Sequence, residues 1–568
     1  DARSRGGGRL APHLLMLGQP NAGPASFSRR RMSPALGQGG MVAAAHPLTV
    51  AVALDVLKRG GNAVDAAVAG GLTAAVVMPE MCGLGGDLFA IVHAPGQAPV
   101  AVLGSGVSPR SASLDQMRRH GDPSPSGVRM PFRGPLSVAV PGMVHAFGAL
   151  LSRFGSRPLA ELAEPAIAYA EGFPLTPLGA YFIATSADLL SRYPASAAVF
   201  LPGGKVPRAG SLLRQPDLAR TLRIIAAEGT EAFYRGDIAN RIAAFMAANG
   251  GELSASDLAA HETVLAPPIA TTYRGHTVFQ TGLPSQGMIL LEALNLAEQM
   301  DGAALAKGDA AAIHLLAEAI KLAYADRLGY AVDPAFGDAR LETLISKAWA
   351  AQRFADIDPG RAAAIVPAGE MADGDTTYFC VADAGGMMVS LIQSVSSNFG
   401  SGVVAGDTGV VLNNRAGRGF SLEDGHPNIF APGKKTLHTL NCYSVADASG
   451  TPVLVGGTPG GDGQPQWNLQ TLVALIDGGL DVQAAVEAPR WTVWPGTDPA
   501  TLPNPYELQV ESRVGDAVLA GLEGRGHTLR RQTAWGGGGA AQAIARDPRT
   551  GVLAGGSDPR AEGLALGF

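Results

Sequence analysis

Cysteine is nearly missing from this 568-residue chain. Cys82, Cys380 and Cys442 stand far apart and form no CxxC pair, so neither a disulfide framework nor a thiolate metal site is spelled out. The eleven histidines show no H-E-x-x-H motif and no close pair, so no metal and no cofactor is expected. Charge is scarce as well, at 16% against roughly 25% in ordinary soluble domains. The net charge of −6 argues against nucleic acid as a partner. The longest uncharged apolar stretch, Ala66 to Pro79, is too short to cross a bilayer, so no membrane association is expected. There is no G-x-S-x-G, no P-loop and no complete dinucleotide fingerprint; the G-L-G-G at 83–86 lacks a third glycine at the right spacing.

What the chain does have is apolar content, 46%, enough for a sizeable core, and 75 glycines spread through turns rather than repeats. Residues 1–40 are rich in Gly, Pro, Ser and Arg and read as a flexible leader. They contain no clear signal peptide. With so few cysteines this points to a cytoplasmic location, a periplasmic or secreted one being the alternative.

From 41 to 375 the pattern is mostly helical. An apolar helix from His46 closes at Gly60 and Gly61, and Asn62 caps a second that runs to Val77. Further helices are predicted over 141–155, 158–171, 216–229, 235–249 and 310–328, with short strands at 90–93 and 276–280. After 375 the period changes to two. Three hairpins with D-x-x-G-type turns are predicted over 378–393, 442–455 and 541–554, with a covering helix over 466–476. Helices beside antiparallel hairpins imply layered α+β packing.

The segment G-D-T-T-Y at 374–378 stands at that change of character. Threonine suits strands, so an ordinary strand start is one reading. The other is a cut between Asp375 and Thr376. Such a cut frees an α-amine with a pKa near 8, close to the working range of a general base. One residue would then supply both nucleophile and base, without a triad. That chemistry needs an oxyanion hole, and Gly460 and Gly461 offer backbone N–H groups between a strand and a helix. It also needs a side chain to support the nucleophile. Ser394 and Ser396 lie on the strand that the hairpin brings back beside Thr376.

These residues resemble the γ-glutamyltranspeptidase family of N-terminal-nucleophile hydrolases. The similarity runs from Gly40 to Phe568 and is carried by G-G-N-A-V-D-A-A-V-A at 60–69, G-L-G-G-D-L-F at 83–89, A-E-A-I-K-L-A-Y-A-D-R at 317–327, G-D-T-T-Y, F-G-S-G at 399–402, L-N-N at 412–414, T-P-G-G at 458–461 and S-D-P-R at 557–560. The resemblance implies a four-layer αββα sandwich. It implies a precursor cut into a large subunit (41–375) and a small subunit (376–568) that stay associated, possibly pairing further as a dimer. It places the nucleophile at Thr376, its support at Ser394 and the oxyanion hole at Gly460 and Gly461.

The departures bear on the substrate. Where transpeptidases carry an arginine for the glutamyl α-carboxylate, this chain has Gly106, and the next arginine is Arg110. Their small-residue contacts correspond to His438 and Thr439, and the asparagine after the supporting threonine to Ser396. The place of their ammonium-binding groups is taken by N-N-R-A-G-R at 413–418. An ammonium beside Arg415 meets a like charge, whereas a carboxylate there gains a charge-assisted pair. Arg415, Ser396, His438 and Thr439 are therefore the expected substrate contacts. The substrate is expected to be a small-molecule amide of an anionic acyl group, hydrolysed through an acyl-enzyme, nearer the oxamate amidohydrolase and cephalosporin acylase branch. The alternatives are γ-glutamyl transfer or glutathione hydrolysis, and an uncut relative acting as a binding protein.

Overall fold

The structure is a computed structural model. It describes residues 32–124, 127–363, 375–494 and 506–568, with only the backbone at Asp375. Two seven-stranded sheets form its centre. Their strands in chain order are β1 (Ala35–Gly37), β2 (Gly40–Ala44), β3 (Asp87–His93), β4 (Val100–Gly104), β5 (Val264–Ala266), β6 (Ile269–Tyr273), β7 (His276–Gln280), β8 (Asp375–Asp383), β9 (Met388–Ser396), β10 (Cys442–Ala446), β11 (Pro452–Gly457), β12 (Gln542–Arg546), β13 (Leu553–Ser557) and β14 (Leu564–Gly567). One sheet has the order β1-β13-β12-β11-β10-β7-β6, the other β14-β2-β8-β9-β3-β4-β5, and both are antiparallel throughout.

Strand alternation decides the layers. Tyr378, Cys380 and Ala382 of β8 meet Ile392 of β9 and Cys442, Val455 and Ile544 of the facing sheet in a buried apolar layer between the sheets. Phe379 and Val381, pointing the other way, pack under α1 (Pro47–Lys58) and α2 (Ala63–Val77). On the opposite outer face Tyr443, Val445 and Leu454 pack under α3 (Gly287–Ala297), α4 (Ala310–Tyr330) and α5 (Gly463–Ile476). This is the four-layer αββα sandwich. Asn62 caps α2 as its sequence implies, in a capping box with Asp65. The helices and the three hairpins stand within two or three residues of their sequence-based limits.

Two features differ from the sequence reading. Residues 1–31 of the expected leader lie outside the described residues, but its end is not a leader. Ala35–Gly37 pairs with Leu553–Gly555, and Gly40 opens β2. The correction has a simple cause: Ala35 joins the layer between the sheets, so a Gly-rich composition hid an edge strand. The region before the Asp375–Thr376 bond also supplies more than helices. It provides β1, β6 and β7 of one sheet and β2 to β5 of the other. Strand β8 is hydrogen-bonded to β2 on one side and β9 on the other. A cut at that bond therefore leaves two fragments sharing both sheets.

Candidate active site

Thr376 and Thr377 begin β8 on opposite faces. Thr377 Oγ1 donates to the Met78 thioether at 3.5 Å, in the helical layer. Thr376 faces the other way, and its Oγ1 donates to Ser394 Oγ at 3.2 Å. The pairing shifts register here, with Asp375 opposite Ser396 but Thr377 opposite Gln393. Two residues of β9, Ser394 and Val395, thus stand against Thr376 alone. Such a bulge re-aims side chains, and here it turns the Ser394 hydroxyl onto the threonine. Ser394 Oγ also accepts the Ser396 N–H at 2.7 Å, while Ser396 holds a left-handed φ of 89° that costs a non-glycine residue roughly 1–3 kcal/mol. Geometry thus separates two threonines that spacing alone leaves equivalent.

Gly460 and Gly461 follow β11 across the sandwich. The end of β11 lies over the same strand; a Cβ on Gly457 would stand 2.5 Å from the Tyr378 ring. Both glycines have positive φ, 123° and 54°, and a Cβ on Gly460 would stand 2.1 Å from the Trp467 ring. Among the described residues neither glycine N–H has a hydrogen-bond partner. Their turn is fixed from α3 and α4. Gln286 Nε2 donates to the Gly461 carbonyl at 2.9 Å and to that of Thr439 at 2.7 Å, and Arg327 Nη1 pairs with Asp462 at 2.8 Å.

Arg415 and Arg418 are buried, not solvated loop residues. They lie on the short helical turn Arg415–Gly419, which Asn413 and Asn414 fasten. Asn413 accepts from the N–H groups of Ala139 and Arg415 and donates to the carbonyls of Gly85 and Ala139. Asn414 holds Ser397 and the Phe132 carbonyl. Both guanidiniums converge on one hydroxyl. Arg415 Nη1 stands 3.5 Å and Arg418 Nη1 3.3 Å from Thr439 Oγ1. With Arg327, Gly419 and Asp462 these residues line a cavity of about 20 Å³. A larger cavity of about 370 Å³, beside Leu305, Gln470 and Trp491, holds none of the residues singled out in the sequence; chemistry rather than size makes the smaller one the candidate.

His438 and Ser396 are placed differently from expectation. Neither lines the arginine cavity. His438 lies behind it, its ring 4.7 Å from that of Phe89 and its Nε2 3.0 Å from Asp87 Oδ2. Ser396 contributes its backbone carbonyl to Arg418 at 3.3 Å, while its hydroxyl is buried without a hydrogen-bond partner among the described residues. Gly106 is packed so tightly that a Cβ would stand 2.1 Å from the Val140 carbonyl oxygen, and half-exposed Arg110 pairs with Asp257 at 3.4 Å. Arg110 does not line the arginine cavity. Two residues were missed by sequence reasoning. Arg327 stood in a quoted motif without a role. Asp87 stood in another, and its carboxylate holds both His438 and Arg415, the latter at Nε, 3.2 Å away. An acidic residue inside a glycine run, bound for a fully buried strand, was the available signal.

Burial lowers the pKa of His438 to about 4, with Arg415 repelling its proton and Asp87 drawing it back. It is therefore neutral at pH 7 and donates through Nε2. Burial alone would raise the Asp87 carboxyl, but His438 and Arg415 outweigh it and hold it low; with the histidine neutral, Arg415 is the charge that does so. Burial likewise lowers His46 to about 4 and His261 and His527 to about 3. An unfolded chain takes up protons on these groups near pH 6.5, the native chain only near 4 or below, so stability falls as pH drops between the two. His438 alone is worth about 3 kcal/mol over that window. The unfolding midpoint, followed by circular dichroism, is expected to fall steadily from pH 6.5 to 4, with a shallower slope in His438→Gln.

Among the described residues one group, His314, Glu318 and His527, converges as metal ligands would. Its atoms serve one another instead. His314 Nε2 donates to the Asp358 carbonyl, its Nδ1 accepts from His527 Nε2 at 2.8 Å, and Glu318 pairs with Lys321 at 2.8 Å. The ammonium so close to the carboxylate opposes a cation there.

The model of the family described as Gamma-glutamyltranspeptidase matches residues 49–568. The chain is 38% identical over 539 residues to a Glutathione hydrolase-like YwrD proenzyme of Bacillus subtilis, covering 94% of this chain and 99% of that protein. It is 37% identical over 543 residues to an Oxamate amidohydrolase proenzyme of Klebsiella pneumoniae, covering 93% and 98%. Its fold superposes on a cephalosporin acylase from Bacillus halodurans with a TM-score of 0.87 and 35% identity, over 97% and 99% of the two chains. The chain belongs to the gamma-glutamyltranspeptidase family and is an N-terminal-nucleophile hydrolase.

Proposed function

We propose that this enzyme cuts itself at Asp375–Thr376 and then hydrolyses amides of small anionic acyl groups. The observation that carries the substrate reading is the convergence of Arg415 and Arg418 on Thr439 Oγ1. Two cations aimed at one neutral oxygen describe a place for a carboxylate, which accepts both forks more strongly than a hydroxyl can. Asp87 does not line that cavity, and Asp462, the carboxylate that does, is paired with Arg327, so neither offers itself to the ammonium of a γ-glutamyl group.

In self-cleavage the Thr376 hydroxyl adds to the Asp375 carbonyl carbon. The amide nitrogen leaves as the new α-amine, and water hydrolyses the resulting ester. In turnover that amine takes the hydroxyl proton as Thr376 Oγ adds to the substrate carbonyl. The proton passes to the departing amine as the C–N bond breaks, and water releases the acid. The N–H groups of Gly460 and Gly461 serve the developing oxyanion. Ser394, accepting from the Thr376 hydroxyl, orients it. Ser394→Ala is expected to slow self-cleavage and lower kcat by about 10- to 100-fold, the worth of one positioned hydrogen bond and its alignment. Gel densitometry against time and steady-state rates on the cut fraction measure the two effects separately.

The substrate reading is tested by comparing glutaryl-4-nitroanilide with γ-glutamyl-4-nitroanilide. At least a tenfold preference in kcat/KM for the glutaryl compound is expected. Equal rates, or faster transfer than hydrolysis when a dipeptide acceptor is added, would favour γ-glutamyl chemistry instead.

A further inference from the structure

We infer that Asp87 is a positioning and specificity-determining residue: it fixes the Arg415 guanidinium so that its Nη edge, not its Nε edge, meets the acyl carboxylate. The inference rests on the arginine cavity being the acyl site and adds a residue that neither lines the cavity nor touches the substrate. Asp87 opens β3, whose neighbour is β9, and the two are in register with Asp87 opposite Ser394. One strand pair thus carries both the group against the nucleophile and the group behind the arginine. Any shift between β3 and β9 would move both, so nucleophile and anion site keep a fixed separation. That matters for an enzyme that measures the distance from an acyl carbonyl to its far carboxylate.

The contacts define what Asp87 does. Its Oδ2 accepts Arg415 Nε at 3.2 Å and His438 Nε2 at 3.0 Å. A guanidinium held at Nε has lost its rotation about the side-chain axis, and here Nη1 is left toward Thr439 and the cavity. His438, neutral and wedged against Phe89, fixes the same carboxylate oxygen from the other side. The backbone is fixed as well. Gly86, next to Asp87, lies against the Ser394 carbonyl so closely that a Cβ would stand 2.3 Å from its oxygen. Asp87 is fully buried, as is Arg415, so neither can exchange its partner for water.

The charges facing this carboxylate are Arg415, with Arg418 and Lys435 further out, and among its near neighbours His438, His261 and Tyr234 are uncharged at neutral pH. Asp87 therefore compensates Arg415 from its Nε side, while Nη1 is the atom that reaches Thr439. An incoming carboxylate finds a cation already desolvated and aimed. In a variant lacking the Asp87 charge, the bond that holds Nε is weakened, and with it the fixed direction of Nη1.

The test uses glutaryl-4-nitroanilide and its neutral methyl ester with the self-cleaved enzyme. In Asp87→Asn the kcat/KM ratio of acid over ester is expected to fall at least tenfold, with the change carried by KM of the acid and kcat within about threefold. Asp87→Glu should recover part of the ratio. Should Asp87→Asn not fold, the double variant Asp87→Asn/Arg415→Gln removes both buried charges together. If Asp87 acts through Arg415, the double variant and Arg415→Gln have the same KM for the acid. Additive losses, or an equal fall on acid and ester, overturn the role of Asp87. A wild-type enzyme that does not distinguish acid from ester overturns the anion-site reading itself and this inference with it. Wild-type discrimination that survives intact in Asp87→Asn overturns the inference alone.

Discussion

Thr376→Ala should remain one full-length band on a denaturing gel, with hydrolysis reduced by about 10⁴-fold or more, the usual cost of deleting a covalent nucleophile. The wild-type chain should give two bands, the smaller beginning Thr-Thr-Tyr-Phe by Edman sequencing. The size of the effect follows from the double use of one residue. The hydroxyl that opens the Asp375–Thr376 bond is the hydroxyl that later attacks substrate, and the amine that serves as base exists only after the cut. Loss of the hydroxyl therefore removes nucleophile and base together. Thr377→Ala is the informative control. Thr377 faces the Met78 thioether in the helical layer, so its loss should leave both bands and most of the activity. Thr376→Ser keeps the hydroxyl and should still be cut, more slowly. An active preparation whose chain stayed whole, or was cut elsewhere, would end the nucleophile assignment.

The fold was legible wherever periodicity and capping speak. The Asn62 cap, the change from period 3.6 to period 2 after Asp375, and the three hairpin turns gave α2, β8 to β13 and layered α+β packing, while the αββα order came from the family resemblance. The edge strand Ala35–Gly37 was not legible, because three residues in a Gly-rich context carry too little pattern. At the site, residue types were readable but directions were not. Arg415 and Arg418 sit three apart on one helical turn and so share a face, which spacing alone could have suggested. Their burial depends on Asn413 and Asn414 reaching Gly85, Ala139 and Phe132, contacts across hundreds of residues that no local pattern encodes. His438 was expected as a substrate contact because it falls where the resembled family has a small-residue contact. Its neighbours make it a neutral prop for Asp87. The resemblance put the nucleophile at Thr376, but separating it from Thr377 on geometry needed the bulge at Ser394 and Val395, and a bulge is a property of two strands rather than one.

Arg415→Gln carries the second large effect. Truncating one partner of a buried charged pair costs about 2–5 kcal/mol, so kcat/KM for glutaryl-4-nitroanilide should fall by about 10²- to 10³-fold. Two losses combine in that figure. The acyl carboxylate loses a charge-assisted fork, and Asp87 keeps its burial while losing the cation that held it ionised. The two can be separated. The first depends on the ligand's charge, so it should appear as a collapse of the preference for the acid over its methyl ester. The second belongs to the protein, so it should appear without ligand as a lowered thermal midpoint whose deficit relative to wild type narrows at lower pH, where Asp87 can take up a proton. Arg415→Lys discriminates further. It keeps the charge but loses the planar fork and the Nε–H that Asp87 holds, so its loss should fall between wild type and Arg415→Gln. Arg418→Gln should cost less than Arg415→Gln, since Arg418 reaches Thr439 from the Ser396 carbonyl side and has no bond to Asp87. Equal losses on acid and ester would mean that Arg415 only props the fold, and the cavity would then no longer be an anion site.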